Sequence, residues 1–176
     1  MFKYPQASVS HLQLPNSIWW ELNRRLILIY LGNAHSSSQV HEKVIAGLED
    51  SGSETEVLKA LRALPQRAKN AVLIGDYQAL GQVMIENNEL QRSLNPALIS
   101  KSADDIIEIA KSYGALGWKV NGAGGDGGSI TLLGGDSTTN QRKMVHAIVE
   151  ANPLFKHIPI HLTRHGVFAW EVDTDK

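Results

Sequence analysis

The 176 residues fit one domain with enough chain for a substantial core, and a second full domain would not fit. A composition of 43% hydrophobic and 20% charged residues with a net charge of −1 supplies no basis for attraction to nucleic acid or to an anionic membrane. With no cysteine, a disulfide framework and a thiolate metal site are both excluded; no signal-peptide pattern opens the chain, and no apolar run approaches the about 18 residues of a membrane span, so the cytoplasm is the expected location.

Residues 1 to about 15 read as irregular, bracketed by Pro5 and Pro15, and residues 1–24 as a linker or edge segment ahead of a domain at 25–176. Asn16 or Ser17 is placed to cap a short helical turn carrying Trp19 and Trp20, followed by a strand from Arg25 to Leu31. Adjacent tryptophans cannot share one core face. Either one packs and the other is half-exposed, or both line a surface that meets another domain.

Ser36 and Gln39 form a capping-box pattern ahead of Val40, Val44, Ile45 and Leu48, which predicts a helix from about Gln39 to Glu49. Its free N–H groups, with His35, Ser36, Ser37 and Ser38 beside them, suit an anionic or polyhydroxyl ligand; capping alone accounts for one of the serines. Ser53 with Glu56 repeats the signature, Pro65 is expected to break or restart that helix, and Ala68, Ala71, Val72 and Ile74 continue its apolar face. Asp76 caps a helix with Leu80, Val83, Met84 and Leu90 as core. Ser102 and Asp105 open another, with Ile106, Ile107, Ile109 and Ala110 inward and Gly114 as its left-handed stop.

Between two predicted strands lies Lys119-Val-Asn-Gly-Ala-Gly-Gly-Asp-Gly-Gly-Ser-Ile130, in which five of the seven residues from Gly122 to Gly128 are glycine. Each glycine carries an entropic cost of roughly 0.5–1 kcal/mol relative to alanine, so the composition asks for a reason. A flexible connection is one. The other is a concavity of backbone N–H groups that holds a phosphate, which the ordered hairpin frame favours. The mononucleotide and dinucleotide glycine motifs do not fit, since no Gly-Lys-Ser/Thr follows and a strand replaces the required helix. A helix from about Thr139 to Ala151 and two strands, Ile158 to Leu162 and Val167 to Val172, complete the order. This order implies an α+β fold, a mainly antiparallel sheet with helices on one face. His157, His161 and His165 recur every four residues, but Pro159 argues for strands there and scattered surface histidines. Asp104, Asp105, Glu171 and Asp173 read as solvated or dipole-favoured carboxylates, with no catalytic or metal-binding set among them.

The glycine stretch resembles the C-terminal motif of the GHMP small-molecule kinases, approximately Lys-hydrophobic-Thr/Ser-Gly-Ala-Gly-Gly-Gly-Gly. Lys119, Val120, Asn121, Gly122, Ala123, Gly124 and Gly125 follow it in order, Asn121 stands where Thr or Ser is usual, and Asp126 interrupts the run before Gly127, Gly128 and Ser129. Arg25 to Gly32 with His35 to Lys43, and Gly75 to Gly81 with Met84 to Leu90, resemble the sugar branch of that family, including heptose-phosphate kinases and galactokinase. The resemblance implies a C-terminal domain that works with an N-terminal ATP-binding domain. That other half supplies the main phosphate loop, the catalytic aspartate and the magnesium site in the family, so this chain is expected to be inactive alone. In the intact enzyme ATP and magnesium would be used, with phosphate bound around residues 119–129 and a sugar or sugar phosphate near His35 to Ser38. The alternative is a non-enzymatic module that binds a small ligand or associates with a protein, either an N-terminal kinase domain or a second copy, through exposed apolar surface.

Overall fold

The computed structural model describes residues 11–32, 42, 45, 55–122, 124–125, 127–164 and 169–171. In chain order the elements are α1 (Asn16–Arg25), β1 (Leu26–Tyr30), α2 (Glu56–Ile74), α3 (Tyr77–Leu94), a 3-10 turn (Pro96–Leu98), α4 (Lys101–Ser112), β2 (Gly117–Val120), β3 (Ser129–Leu133), α5 (Thr138–Ala151) and β4 (Lys156–Ile158). The strands pair in the order β2-β3-β1-β4, every neighbour antiparallel, so the fold is α+β.

Alternation along the strands builds the core. Ile27, Ile29 and Leu31 point to one face with Ile130, Leu132, Trp118 and Val120, and α4 (Ala103, Ile106, Ile107, Ala110) and α5 (Met144, Ile148) cover that face. Each fully buried isoleucine there stabilises the fold by roughly 1.5–3 kcal/mol. The hairpin of α2 and α3 packs Ala71 and Leu80 against Leu133, with Leu26 and Met84 half-buried beside them. Among the described residues, no helix is long and apolar enough to cross a membrane.

Several boundaries differ from those expected. The helix before the first strand is ten residues rather than one turn, its N-cap is Pro15 with no side-chain cap, and Arg25 closes it instead of opening the strand. Trp19 is half-buried, with the Arg164 guanidinium 4.8 Å from its ring centre, while Trp20 is 67% exposed. Thr55, not Ser53, caps α2, its hydroxyl accepting the Leu58 N–H. That helix runs unbroken through Pro65, because Pro65 lies on the exposed face, where water can replace the lost bond. Ile74 is exposed, so the apolar stripe stops short of the helix end.

Ser100 rather than Ser102 caps α4, accepting from Ala103 N–H at 3.2 Å, and that start puts Ala103 on the core face as the first buried residue of the helix. Asp76 and Gly114 behave as expected: the Asp76 carboxylate accepts the Ala79 N–H at 2.9 Å, and Gly114 takes a left-handed φ of 76° after α4. The last pairing strand is Lys156–Ile158, not Ile158 to Leu162, since Pro159 has no N–H to extend the ladder and so blunts the sheet edge. Of the second expected strand, Ala169 to Glu171 are not in a strand and the rest lie outside the described residues.

Arg25 fastens the corner where α1, the β3–α5 connection and α3 meet. Its guanidinium, in a residue only 5% exposed, donates to Glu21 Oε1 at 2.8 Å and to the Gly134 carbonyl at 3.2 Å, pairs with Asp136, and lies 4.7 Å from the centre of the Tyr77 ring. The Gly134 N–H returns a bond to the Arg25 carbonyl at 2.8 Å. Hydrogen bonding from Arg24 chiefly, then from Arg25, outweighs partial desolvation and lowers the Glu21 pKa from 4.5 to about 2.

Two changes test this corner. Arg25→Met should cost about 2 kcal/mol in urea unfolding at pH 7, because charge-assisted bonds are lost while the stranded carboxylates remain accessible to water. Glu21 has a depressed folded pKa, so its contribution is complete above pH 4.5 and disappears as pH falls toward 2; Glu21→Gln should flatten the stability profile in that window.

Candidate functional site

The β2–β3 hairpin presents the glycine run between two strands in fixed register, Val120 opposite Ile130 and Lys119 opposite Thr131. Its neck is closed by side chains as well as backbone. Asn121 N–H donates to the Ser129 carbonyl at 2.9 Å, Asn121 Nδ2 donates to Ser129 Oγ at 3.0 Å, and the Thr131 hydroxyl donates to Asn121 Oδ1 at 3.1 Å. Asn121 thus holds two side chains of β3, its amide N–H donating to Ser129 and its carbonyl oxygen accepting from Thr131, a cross-strand clamp at the neck of the loop.

Within the loop, Gly122, Gly124, Gly125 and Gly128 have φ between 62° and 82°, the left-handed region. Gly124 faces the tightest constraint, because a Cβ there would run into the Leu98 carbonyl oxygen, whereas a Cβ on Gly122 would meet open space. The same Leu98 carbonyl accepts the Gly125 N–H at 3.3 Å, and the Gly128 carbonyl accepts the Leu31 N–H at 2.9 Å, which ties the loop to the end of β1. Gly124 and Gly127 are buried, and no hydrogen bond among the described residues engages their amides. Backbone N–H groups without a protein partner are suited to an anion.

Lys119 stands at the neck with its ammonium donating to the Val120 carbonyl at 3.0 Å. Burial lowers its pKa, because desolvation penalises the charged form, and no carboxylate among the described residues pairs with it. The arrangement offers amides and one cation for an anionic ligand. Among the described residues no acid–base pair joins them.

Of the residues expected to form the site, Lys119, Asn121, Gly122, Gly124, Gly125, Gly127, Gly128 and Ser129 come together on this hairpin. Ala123 lies outside the described residues, as do His35, Ser36, Ser37 and Ser38; of the helix expected there, Glu42 and Ile45 are described and helical. Two contributors were not foreseen, Asn88 and the carbonyl of Leu98. They meet the hairpin from more than 20 residues away in sequence, a separation that no local pattern signals.

A separate concavity shares no residue with the loop. It is a cleft of about 730 Å³ between α5 and β4, and His146, His157 and His161 line it. His146 Nδ1 is 2.9 Å from Glu150 Oε2, and no three metal-ligating side chains gather among the described residues. His165 lies outside them.

Residues 53–151, a span that takes in α2 through α5 and the whole hairpin, match the family described as GHMP kinases C terminal. The chain belongs to that family. It is 28% identical over 113 residues to the bifunctional fucokinase/GDP-fucose pyrophosphorylase of Arabidopsis thaliana, covering 64% of this chain and 11% of that protein. Over 115 residues it is 32% identical to the mevalonate kinase of Saccharolobus solfataricus, covering 64% of this chain and 35% of that one. The fold is also that of a D-glycero-D-manno-heptose 1-phosphate kinase from Bacteroides thetaiotaomicron, with a TM-score of 0.54 and 17% identity over 93% of this chain and 40% of the other. The chain thus spans well under half the length of each kinase it resembles.

For this GHMP C-terminal domain, the loop geometry separates two glycines of identical chemistry. Gly122→Ala should cost about 1 kcal/mol through the left-handed backbone alone, whereas Gly124→Ala should cost about 3 kcal/mol because the Leu98 turn must also move. Equal urea midpoints for the two variants would contradict the packing of the loop against Leu98.

Proposed function

We propose that this chain is the C-terminal part of an ATP-dependent kinase of a sugar or sugar phosphate, in which it supports phosphate binding and acceptor recognition without carrying the reacting groups. The observation behind this reading is the glycine loop, with four left-handed glycines, with Gly124 and Gly127 buried and no hydrogen bond to their amides among the described residues, and with the half-buried Lys119 at its neck. Phosphoryl transfer depends chiefly on positioning and on stabilising spread negative charge, so amides and one lysine contribute without acting as acid or base. The donor set fits nucleotide phosphates. Magnesium would accompany the nucleotide when bound and neutralise part of its charge; among the described residues no group of three metal-ligating side chains gathers.

The acceptor site is assigned to His35, Ser36, Ser37 and Ser38, on the resemblance of that segment to sugar kinases. The fucokinase and heptose-phosphate kinase among the similar proteins favour a sugar, while the mevalonate kinase favours a smaller polyfunctional alcohol. The cytoplasm, where ATP is abundant, is the proposed location. Trp20, Ile74 and Trp170, each at least 67% exposed, support docking to an N-terminal kinase domain or a second copy. They also keep a non-enzymatic association module as the second reading.

Calorimetric titration with Mg-ATP, and separately with a panel of sugars and sugar phosphates, tests the assignment. The expected result is nucleotide binding that weakens tenfold or more in the Gly124→Val, Gly125→Val double variant. An unchanged affinity in that variant removes the loop from nucleotide binding, and heat from sugar phosphates alone makes this a recognition domain.

A further inference from the structure

We infer that Asn88 and the backbone carbonyl of Leu98 are positioning groups that set the shape of the glycine loop before its ligand arrives; this rests on the phosphate-binding reading above. Asn88 is 0% exposed and lies on α3, where its Oδ1 accepts the Val120 N–H at 3.1 Å. Since β2 is an outer strand of the sheet, that N–H has no strand beyond it to pair with. A carboxamide buried at this depth is costly unless bonded, and an apolar side chain would pack more cheaply in the same space. Asn88 is therefore explained by the bond it makes, one residue before Asn121 and two before the loop.

The same helix reaches the crown of the loop through its far end. Asn95, seven residues or about 10 Å further along the helix axis, closes α3 and starts the 3-10 turn, its Oδ1 accepting the Ala97 N–H at 2.9 Å and its carbonyl the Leu98 N–H at 2.9 Å. The turn, of which Leu98 is the buried residue, aims the Leu98 carbonyl at Gly125, which donates to it at 3.3 Å, and fills the space where a Gly124 side chain would stand. One rigid helix thus grips the loop at two points. A loop ordered in this way does not have to be ordered by its ligand, which favours affinity.

The test is amide hydrogen exchange by NMR on the 176-residue chain, with Asn88→Leu removing the acceptor at similar volume and Asn88→Asp retaining it. In Asn88→Leu, the amides of Val120, Gly122, Gly124, Gly125, Gly127 and Gly128 should exchange at least tenfold faster relative to those of Ile29 and Ile130 in the same sample. Affinity for Mg-ATP should fall in parallel, and Asn88→Asp should restore both in part. If Asn88→Leu does not fold, Asn95→Ala takes its place, with faster exchange expected at Gly125 and not at Ile130. An unchanged ratio of loop to core exchange in the folded variant overturns the inference. Should wild type bind neither Mg-ATP nor inorganic triphosphate while the exchange ratio responds as expected, the brace stands and its link to phosphate is overturned. Wild-type binding that Asn88→Leu leaves intact, with exchange also intact, overturns the brace and spares the phosphate reading.

Discussion

The close crossing of α3 over β2 sets the geometry of everything near the glycine loop. Gly81 on the helix lies against Leu116 and Gly117 where the strand begins, so that a Cβ on Gly81 would collide with the Leu116 carbonyl and one on Gly117 with the Gly81 backbone. Because the helix backbone comes this near, a side chain as short as asparagine can reach the strand's edge amide from Asn88. Gly81, Asn88 and Asn95 follow one another at seven-residue intervals, a spacing that drifts only about 20° around a helix. One stripe of α3 therefore supplies the close approach, the neck bond and the turn that meets the crown.

Two half-hidden or hidden cations show how differently the fold treats charge. Arg25 is surrounded by Glu21, Asp136, the Gly134 carbonyl and the Tyr77 ring, so its burial is compensated on every side and it serves as a fastener. Lys119 has one carbonyl for its ammonium and a pKa lowered by desolvation. A lysine at the neck of the glycine loop, with no carboxylate paired to it among the described residues, would gain from an incoming anion, whereas Arg25 would have to give up a partner to do so. The geometry thus distinguishes a cation enclosed by partners from one that, among the described residues, has a single carbonyl for its ammonium, and the latter stands at the neck of the loop.

What could be read from the sequence followed local physics. Hairpin strands flanking a glycine run, the Asp76 cap and the Gly114 stop each depend on residues within a few positions of one another, and each is present. The misplaced caps have a common cause: where serines and threonines crowd ahead of an apolar stripe, tertiary packing chooses among them, as Ala103 does by selecting Ser100 over Ser102. Pro65 was misjudged because the rule against proline within a helix assumes that the lost bond is not replaced, and an exposed face gives water access. In the site itself, the glycines were legible by composition alone. The Asn121 clamp and the Leu98 contact were not, since register and three-dimensional proximity decide which groups they meet.

Five glycines in seven residues would ordinarily make a loose segment, as each loses more backbone freedom on folding than any other residue type. Here the loss is met during folding. Asn121, Ser129 and Thr131 close the neck, Leu31 takes the Gly128 carbonyl, Asn88 fixes the last strand residue, and Leu98 holds the crown. These contacts come from β1, β3, α3 and the turn that follows it, so the loop is ordered only when the whole sheet and the helix across its edge are in place. Glycine is then required for its capacity to turn left-handed in a crowded space, and flexibility is the property the surrounding structure removes. A loop held in this way keeps its amides in one arrangement, which is what a group that would stabilise charge by position needs.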